Sequence, residues 1–244
     1  MKEFEYREED KEGLSTLETI ARADKFNRWM FETIYPFCKG RILEIGSGIG
    51  NISQFFLNEK ASVTLSDIRE NYCNQLKVRF SDATTLEDVL LINLTDPEFE
   101  KKYRQYEKLF DTVFALNVVE HIQDDVLALK NCKFLLKDGG TLLILVPAFQ
   151  SLYCGFDLEL GHYRRYTKKT LRRVYEENQF QIEYSRYFNA MGILGWIFSG
   201  KILKKKTIPE GQLGIYNKLV PVFRIIDKIF LQIIGLSVIL VGKK

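Results

Sequence analysis

Histidine and cysteine are scarce in this chain of 244 residues, which has two of the first and four of the second. Cys38, Cys73, Cys132 and Cys154 stand far apart with no CxxC pair, so zinc-finger spacings are absent and no metal site is expected. Free thiols in a reducing compartment are the plain reading. An excess of one charge is missing too. The 35 basic and 32 acidic residues leave a net charge of +3, which gives no case for a nucleic-acid partner. The longest apolar run, Ile233 to Gly242, falls short of the roughly 20 residues that a membrane-spanning helix needs. The start, MKEFEYREEDKEG, is charged and acidic, unlike a signal peptide. The expectation is a cytoplasmic protein.

What is present is enough apolar residue, 46%, to bury a sizeable core. Residues up to about Gly13 look frayed, and apolar spacing then predicts a helix over about 14–37, stopped by Pro36 and Gly40. RILEIG reads as a first strand, NISQFFLNEK as a helix and ASVTLSDI as a second strand. ENYCNQLKVRF suits a helix, and DVLLINL and FDTVFALNVV suit a third and a fourth strand. A helix over DDVLALKNCKFLLK leads to a turn at Lys137–Gly140, and TLLILVPA is a wholly apolar fifth strand that needs cover on both faces. KKTLRRVYEEN is a helix, FQIEYSRYF a sixth strand and LSVILVGKK a seventh. The alternation predicts one α/β domain over 1–244, with a mostly parallel sheet and helices on both faces. A segment over about 189–234 interrupts it between the last two strands.

The stretch ILEIGSGIGN places an acid, Glu44, at the end of a buried strand, followed by Gly46, Gly48 and Gly50. In an open α/β sheet, ligands bind at such strand ends. A phosphate-binding loop of the GxxxxGK[ST] type is excluded, because there is no lysine. A dinucleotide loop, GxGxxG, would need glycine where Asn51 stands. Asp67 ends the second strand about 20 residues on, where a carboxylate can accept ribose hydroxyls. That ribose is common to dinucleotides and S-adenosylmethionine, so Asp67 alone does not separate them.

The acid-x-Gly-x-Gly-x-Gly pattern resembles motif I of the class I methyltransferases that use S-adenosylmethionine. FDTVFALNVVEHI is similar to that family's fourth-strand motif down to its Glu-His pair, and LLKDGGTLLILVPA to its approach to the fifth strand. The resemblance covers roughly Arg41 to Ala148. It implies a Rossmann-like seven-stranded sheet, mostly parallel with an antiparallel last strand, and S-adenosyl-L-methionine as cofactor. Carried over by position, Glu44 orients the loop near the methionine ammonium, and Gly46, Ser47 and Gly48 line the methionine moiety. Asp67 holds the ribose and Ile68 lies against adenine. Asn93 and Leu94, ending the third strand, flank adenine; the family often has Asp at the first of these. Asn117 contacts the cofactor.

On the acceptor side, a hydroxyl acceptor needs a group to take its proton, and histidine is matched to neutral pH. His121, in VVEHI, reads as packing at the cofactor edge. His162, in DLELGHYRRYTKKTL, is the candidate base, with Tyr166 beside it and Asp157 able to orient it or to contact a sugar hydroxyl. Arg164 and Arg165 either recognise phosphate or carboxylate, or balance nearby acids in a loop before a helix capped by Thr167. For the segment over about 189–234 two readings stand. It is a lid packed on the domain, or a peripheral membrane contact at the inner surface, with Lys204, Lys205 and Lys206 meeting anionic lipid and Trp196 at the interface. The run LGHYRRYT, YFNAMGILGW, GQLGIYNKLVP resembles a bacterial subfamily associated with glycan or lipid-linked saccharide pathways. The expected activity is methyl transfer to a small-molecule, saccharide or lipid-linked acceptor at oxygen. The alternatives are a non-catalytic S-adenosylmethionine-binding adaptor and an NAD-dependent oxidoreductase.

Overall fold

The structure, a computed structural model, describes residues 11–205, 210–229 and 232–244. The acidic start through residue 10 and Lys206 lie outside the described residues. Seven strands form one sheet: β1 (Ile42–Ile45), β2 (Val63–Asp67), β3 (Leu86–Leu91), β4 (Phe110–Leu116), β5 (Leu136–Pro147), β6 (Gln181–Phe188) and β7 (Ser237–Lys243). Their order is β3-β2-β1-β4-β5-β7-β6. β7 runs antiparallel to both its neighbours and the other pairs are parallel, as expected. The order reverses between β1 and β4, so a crevice opens at the C-terminal ends of those two strands.

Helices α1 (Lys11–Ala21) and α2 (Asp24–Ile34) precede the sheet. α3 (Ser53–Asn58) follows β1, α4 (Glu70–Arg79) follows β2, and α5 (Phe99–Lys102) and α6 (Asp125–Leu135) flank β4. α7 (Gly155–Glu159) and α8 (Lys168–Glu177) lie between β5 and β6. Between β6 and β7 come α9 (Gly192–Trp196), which runs on into a π turn over Ile197–Ile202, and α10 (Glu210–Ile229).

β5 shows how sequence makes the two layers. Side chains alternate across a strand. Leu142 and Ile144 enter one core with Leu43, Val113, Leu129 and Leu171, and Leu143 and Leu145 enter the other with Ile34, Phe56 and Phe114. A strand apolar at every position therefore satisfies both faces.

Four boundaries depart from expectation. The single helix over 14–37 is two, because Ala23 (φ −93°, ψ 61°) leaves the helical region. Asn27 Nδ2 donates to the Ile20 carbonyl at 2.8 Å and closes the first helix, while Asp24 places an acid in the first turn of the second. The third strand stops at Leu91, opposite Asp67, so Asn93 and Leu94 belong to the following loop. The fourth ends at Leu116, because Asn117 has φ 54° and turns the chain out of the sheet. Lys137–Gly140 is a bulge inside β5: pairing steps from Leu136 to Thr141 while β4 advances from Phe110 to Thr112.

Candidate active site

The crevice is built from β1 outward. Gly46 has φ +70°, and a Cβ there would stand 2.4 Å from Val118 Cγ2, so only glycine lets the loop bend against the β4 exit. The Gly48 N–H donates to Asp67 Oδ2 at 2.9 Å, and the Arg69 N–H donates to Oδ1 at 3.0 Å. Asp67 thus ties the glycine loop to the end of β2 and keeps lone pairs for a ligand. Burial pushes its carboxyl up, against those backbone bonds. Glu44 is buried beneath the loop and accepts the Ser53 hydroxyl at 2.5 Å. Burial raises its pKa to about 7, with the Ser53 and Ser47 hydroxyls opposing the rise.

Glu44, Gly46, Ser47, Gly48, Asp67, Ile68, Asn93, Leu94 and Asn117 all line one cavity of about 840 Å³. That is in the upper part of the range for ligand pockets, about 300–1,000 Å³. Asn93 has only part of its amide free for adenine. Its Oδ1 already accepts the Thr95 N–H at 2.9 Å and the Thr95 hydroxyl at 2.7 Å. The edge it can offer adenine is its NH2, which suits a ring nitrogen rather than the amino group. Asn51, the residue that breaks the dinucleotide pattern, donates to the Leu17 carbonyl at 2.9 Å and holds α1 over the crevice. Leu213 and Tyr216 of α10, with Gly195 and Trp196 of α9, complete that wall.

His162, His121 and Glu120 line the other end of the cavity. His162 Nδ1 meets Asp157 Oδ1 at 2.8 Å, and Arg165 Nε donates to the same oxygen at 2.7 Å. The Cys154 N–H donates to Oδ2 at 2.9 Å. Burial works to raise the Asp157 carboxyl, but His162 and Arg165 outweigh it and hold the group below its ordinary range. Against an ionised carboxylate, Nδ1 is the nitrogen that carries a proton, which leaves Nε2 for a group in the cavity. The His121 ring packs edge-on against His162, with centroids 4.6 Å apart. Burial, then the His162 ring, pushes its pKa down to about 3.

One expectation fails here, and two open readings close. Tyr166 does not line the cavity: it is buried and donates to Asp125 Oδ2 at 2.7 Å, with burial and that carboxylate raising its hydroxyl. The arginines do not wait for an anion. Arg165 is spent on Asp157, the Ala148 carbonyl and the Trp196 face at 4.4 Å, and Arg164 pairs with Asp125 at 2.8 Å. Trp196 is a wall of the cavity rather than an interfacial anchor, donating from Nε1 to the Leu152 carbonyl at 3.0 Å. Asp157 orients His162 and is itself fully buried, so it meets no acceptor. Glu120 was not singled out by its sequence, although the Glu-His pair that contains it was. Its carboxyl is 0% exposed, neither oxygen has a hydrogen-bond partner among the described residues, and burial raises its pKa to about 8.

Known proteins share this architecture. Residues 43–142 match a family model described as a methyltransferase domain. The chain is 27% identical over 104 residues to a ubiquinone biosynthesis O-methyltransferase of Xanthomonas campestris pv. campestris, covering 43% of this chain and 41% of that one. It is 30% identical over 112 residues to (S)-coclaurine N-methyltransferase of Papaver somniferum, covering 42% and 28%. The matches span less than half the length of these curated relatives. Among solved structures, a SAM dependent methyltransferase from Archaeoglobus fulgidus superposes with a TM-score of 0.58 at 18% identity, over 89% of this chain and 94% of that one. The glycine at its tightest bend, the tethered acid after β2 and the cavity beyond them fit S-adenosylmethionine. The sheet with its reversed last strand has the fold of the class I S-adenosylmethionine-dependent methyltransferases, and residues 43–142 within it match the methyltransferase domain.

Proposed function

We propose that this chain transfers the methyl group of S-adenosylmethionine to an oxygen of a small polar acceptor, of the saccharide or lipid-linked saccharide class. The observation that carries the reading is continuity. One cavity joins the acid-and-glycine crevice to a histidine ring that a buried carboxylate orients. Bound in the crevice, the cofactor supplies a methyl group already activated on sulfonium. Glu44 would face its ammonium, Asp67 its ribose, and Ile68, Asn93 and Leu94 its adenine. The chain's own work is then to align the acceptor, to shed water beneath α1 and α10, and to act on the acceptor hydroxyl at His162 Nε2. The relatives include both an O- and an N-methyltransferase, so the choice of oxygen rests on the oriented histidine.

A lipid-linked acceptor also gives a reason for the outer side of the segment between β6 and β7. Ile215, Leu219, Val222, Ile225 and Ile229 of α10 are exposed, as are Leu194, Phe198, Ile202 and Leu203 before it. Lys201, Lys204, Lys205, Lys218 and Lys228 lie exposed among them. Such a face suits an anionic membrane surface, where each cation contributes about 1 kcal/mol. Among the described residues, no helix is long and apolar enough to cross a membrane.

Calorimetric titration with S-adenosylmethionine and with NAD, followed by labelled-methyl transfer to soluble and lipid-linked saccharide fractions, tests the reading. Cofactor binding with label in a saccharide product, lost in His162→Ala, is expected. Binding of NAD alone would return the chain to the oxidoreductases. Cofactor binding without turnover, and function indifferent to His162→Ala, would leave an adaptor.

A further inference from the structure

We propose that Glu120, His121 and His162 hold a divalent transition-metal cation at the acceptor end of the cavity, with open coordination positions for two neighbouring oxygens of the acceptor. The inference deepens the methyltransferase reading and rests on it for the acceptor's identity, but not for the cation itself.

The first observation is the constellation. One ligand atom from each of the three residues lies within 4.8 Å of the other two. The second, independent of it, is the state of Glu120. A carboxyl group 0% exposed with both oxygens unpartnered is costly whichever form it takes, since a protonated one also needs an acceptor for its O–H. His162 Nε2 stands 4.0 Å from Oε1, beyond hydrogen-bond reach. A cation between them would satisfy both atoms, and both residues line the cavity.

The surroundings suit a cation. His162 is held through Nδ1 by Asp157, which Arg165 and the Cys154 N–H hold in turn. A carboxylate behind the imidazole is the usual way to aim the other ring nitrogen at a metal. His121 presents its ring at 83° to that of His162, so the two do not stack and can address one point. Bonds of about 2.0–2.2 Å put ligand atoms at most about 4.4 Å apart, so the cluster closes on a cation by small side-chain shifts. Two imidazoles and one carboxylate favour zinc, manganese or iron over the all-oxygen sites of magnesium and calcium. Three protein ligands leave positions open to the cavity. A vicinal diol or a hydroxyl beside a carboxylate or phosphate would fill two of them. A hydroxyl so held gives up its proton to solvent more readily. His162 would then act on the acceptor as a ligand to the cation, not as a free base.

The test uses the whole chain stripped of metal by chelator. Titration with Zn2+ by calorimetry, and with Co2+ followed by visible absorption, is expected to give one cation per chain. Glu120→Gln is expected to weaken that binding at least tenfold, and Asp157→Asn about 10–100-fold. Glu44→Gln, at the cofactor crevice, is expected to keep the cation while losing affinity for S-adenosylmethionine. If Glu120→Gln does not fold by circular dichroism, His121→Asn answers the same question. No stoichiometric binding, or equal binding by Glu120→Gln and His121→Asn, overturns the proposal. Methyl transfer by the metal-free chain would overturn the cation's role in holding the acceptor while sparing the methyltransferase reading. A bound cation without cofactor binding would do the reverse.

Discussion

Two residues of the GHYRRYT stretch, similar in the sequence, have opposite fates. His162 reaches the cavity and Tyr166 turns into the core. Tyr166→Phe removes one hydrogen bond to Asp125, whose carboxylate Arg164 still holds at 2.8 Å. A loss of about 1.5 kcal/mol in denaturant unfolding is expected, the low end for a bond to a charged group, with kcat nearly unchanged. Asp157→Asn is expected to leave the cavity walls in place but to lower kcat about 10–100-fold, because the ring of His162 loses its orienting partner. Equal loss of activity in both variants would mean that Tyr166 acts on substrate after all. Glu44 gives a pH signature. Its pKa of about 7 means that near neutrality much of it carries a proton. An ammonium group beside it favours the ionised form, so cofactor binding is expected to release protons and to weaken as pH falls below 7. Calorimetry in two buffers of different ionisation enthalpy measures that release, and none at pH 7 would separate Glu44 from the ammonium.

At the scale of elements, α10 has an inner and an outer face. Its inner face carries Tyr216 into the cavity wall, takes the Phe26 N–H on Asn217 Oδ1 at 3.1 Å and pairs Arg224 with Glu32 at 2.7 Å. Its outer face shows Ile225, 61% exposed, and Ile229, 70% exposed. The lid and membrane readings of this segment therefore concern opposite sides of one helix and are compatible. Ile225→Glu is expected to abolish co-sedimentation with anionic vesicles without changing the melting temperature. Vesicle binding that survives both this change and Ile229→Glu would remove α10 from the contact. The glycine loop was legible in sequence because tight bends need a particular residue type. The breaks at Ala23 and Leu91 were not, because hydrogen bonds from Asn27 and the length of the β2 partner strand set them.

At the scale of the whole molecule, the sheet is the rigid part against which the site is aligned. Leu143 and Leu142 are both fully buried, on opposite faces of β5. Leu143→Ala is expected to cost about 2–5 kcal/mol, read by urea unfolding, and to lower cofactor affinity only through the unfolded fraction. A loss under about 1 kcal/mol would mean that the core closes around the gap.

The sequence by itself determined the alternation of strands and helices, the sheet's reversed last strand through its resemblance, and the cofactor half of the crevice. Those depend on local pattern: period, glycine, and an acid at a strand end. Only the tertiary structure decided what lies across from the cofactor. Glu120 and His121 leave β4, while Asp157 and His162 come from beyond β5, and no spacing in a chain announces a meeting of side chains about 40 positions apart. The same packing turned Tyr166 inward and neutralised both arginines, because burial and partners, rather than residue type, decide which polar groups remain available to a ligand.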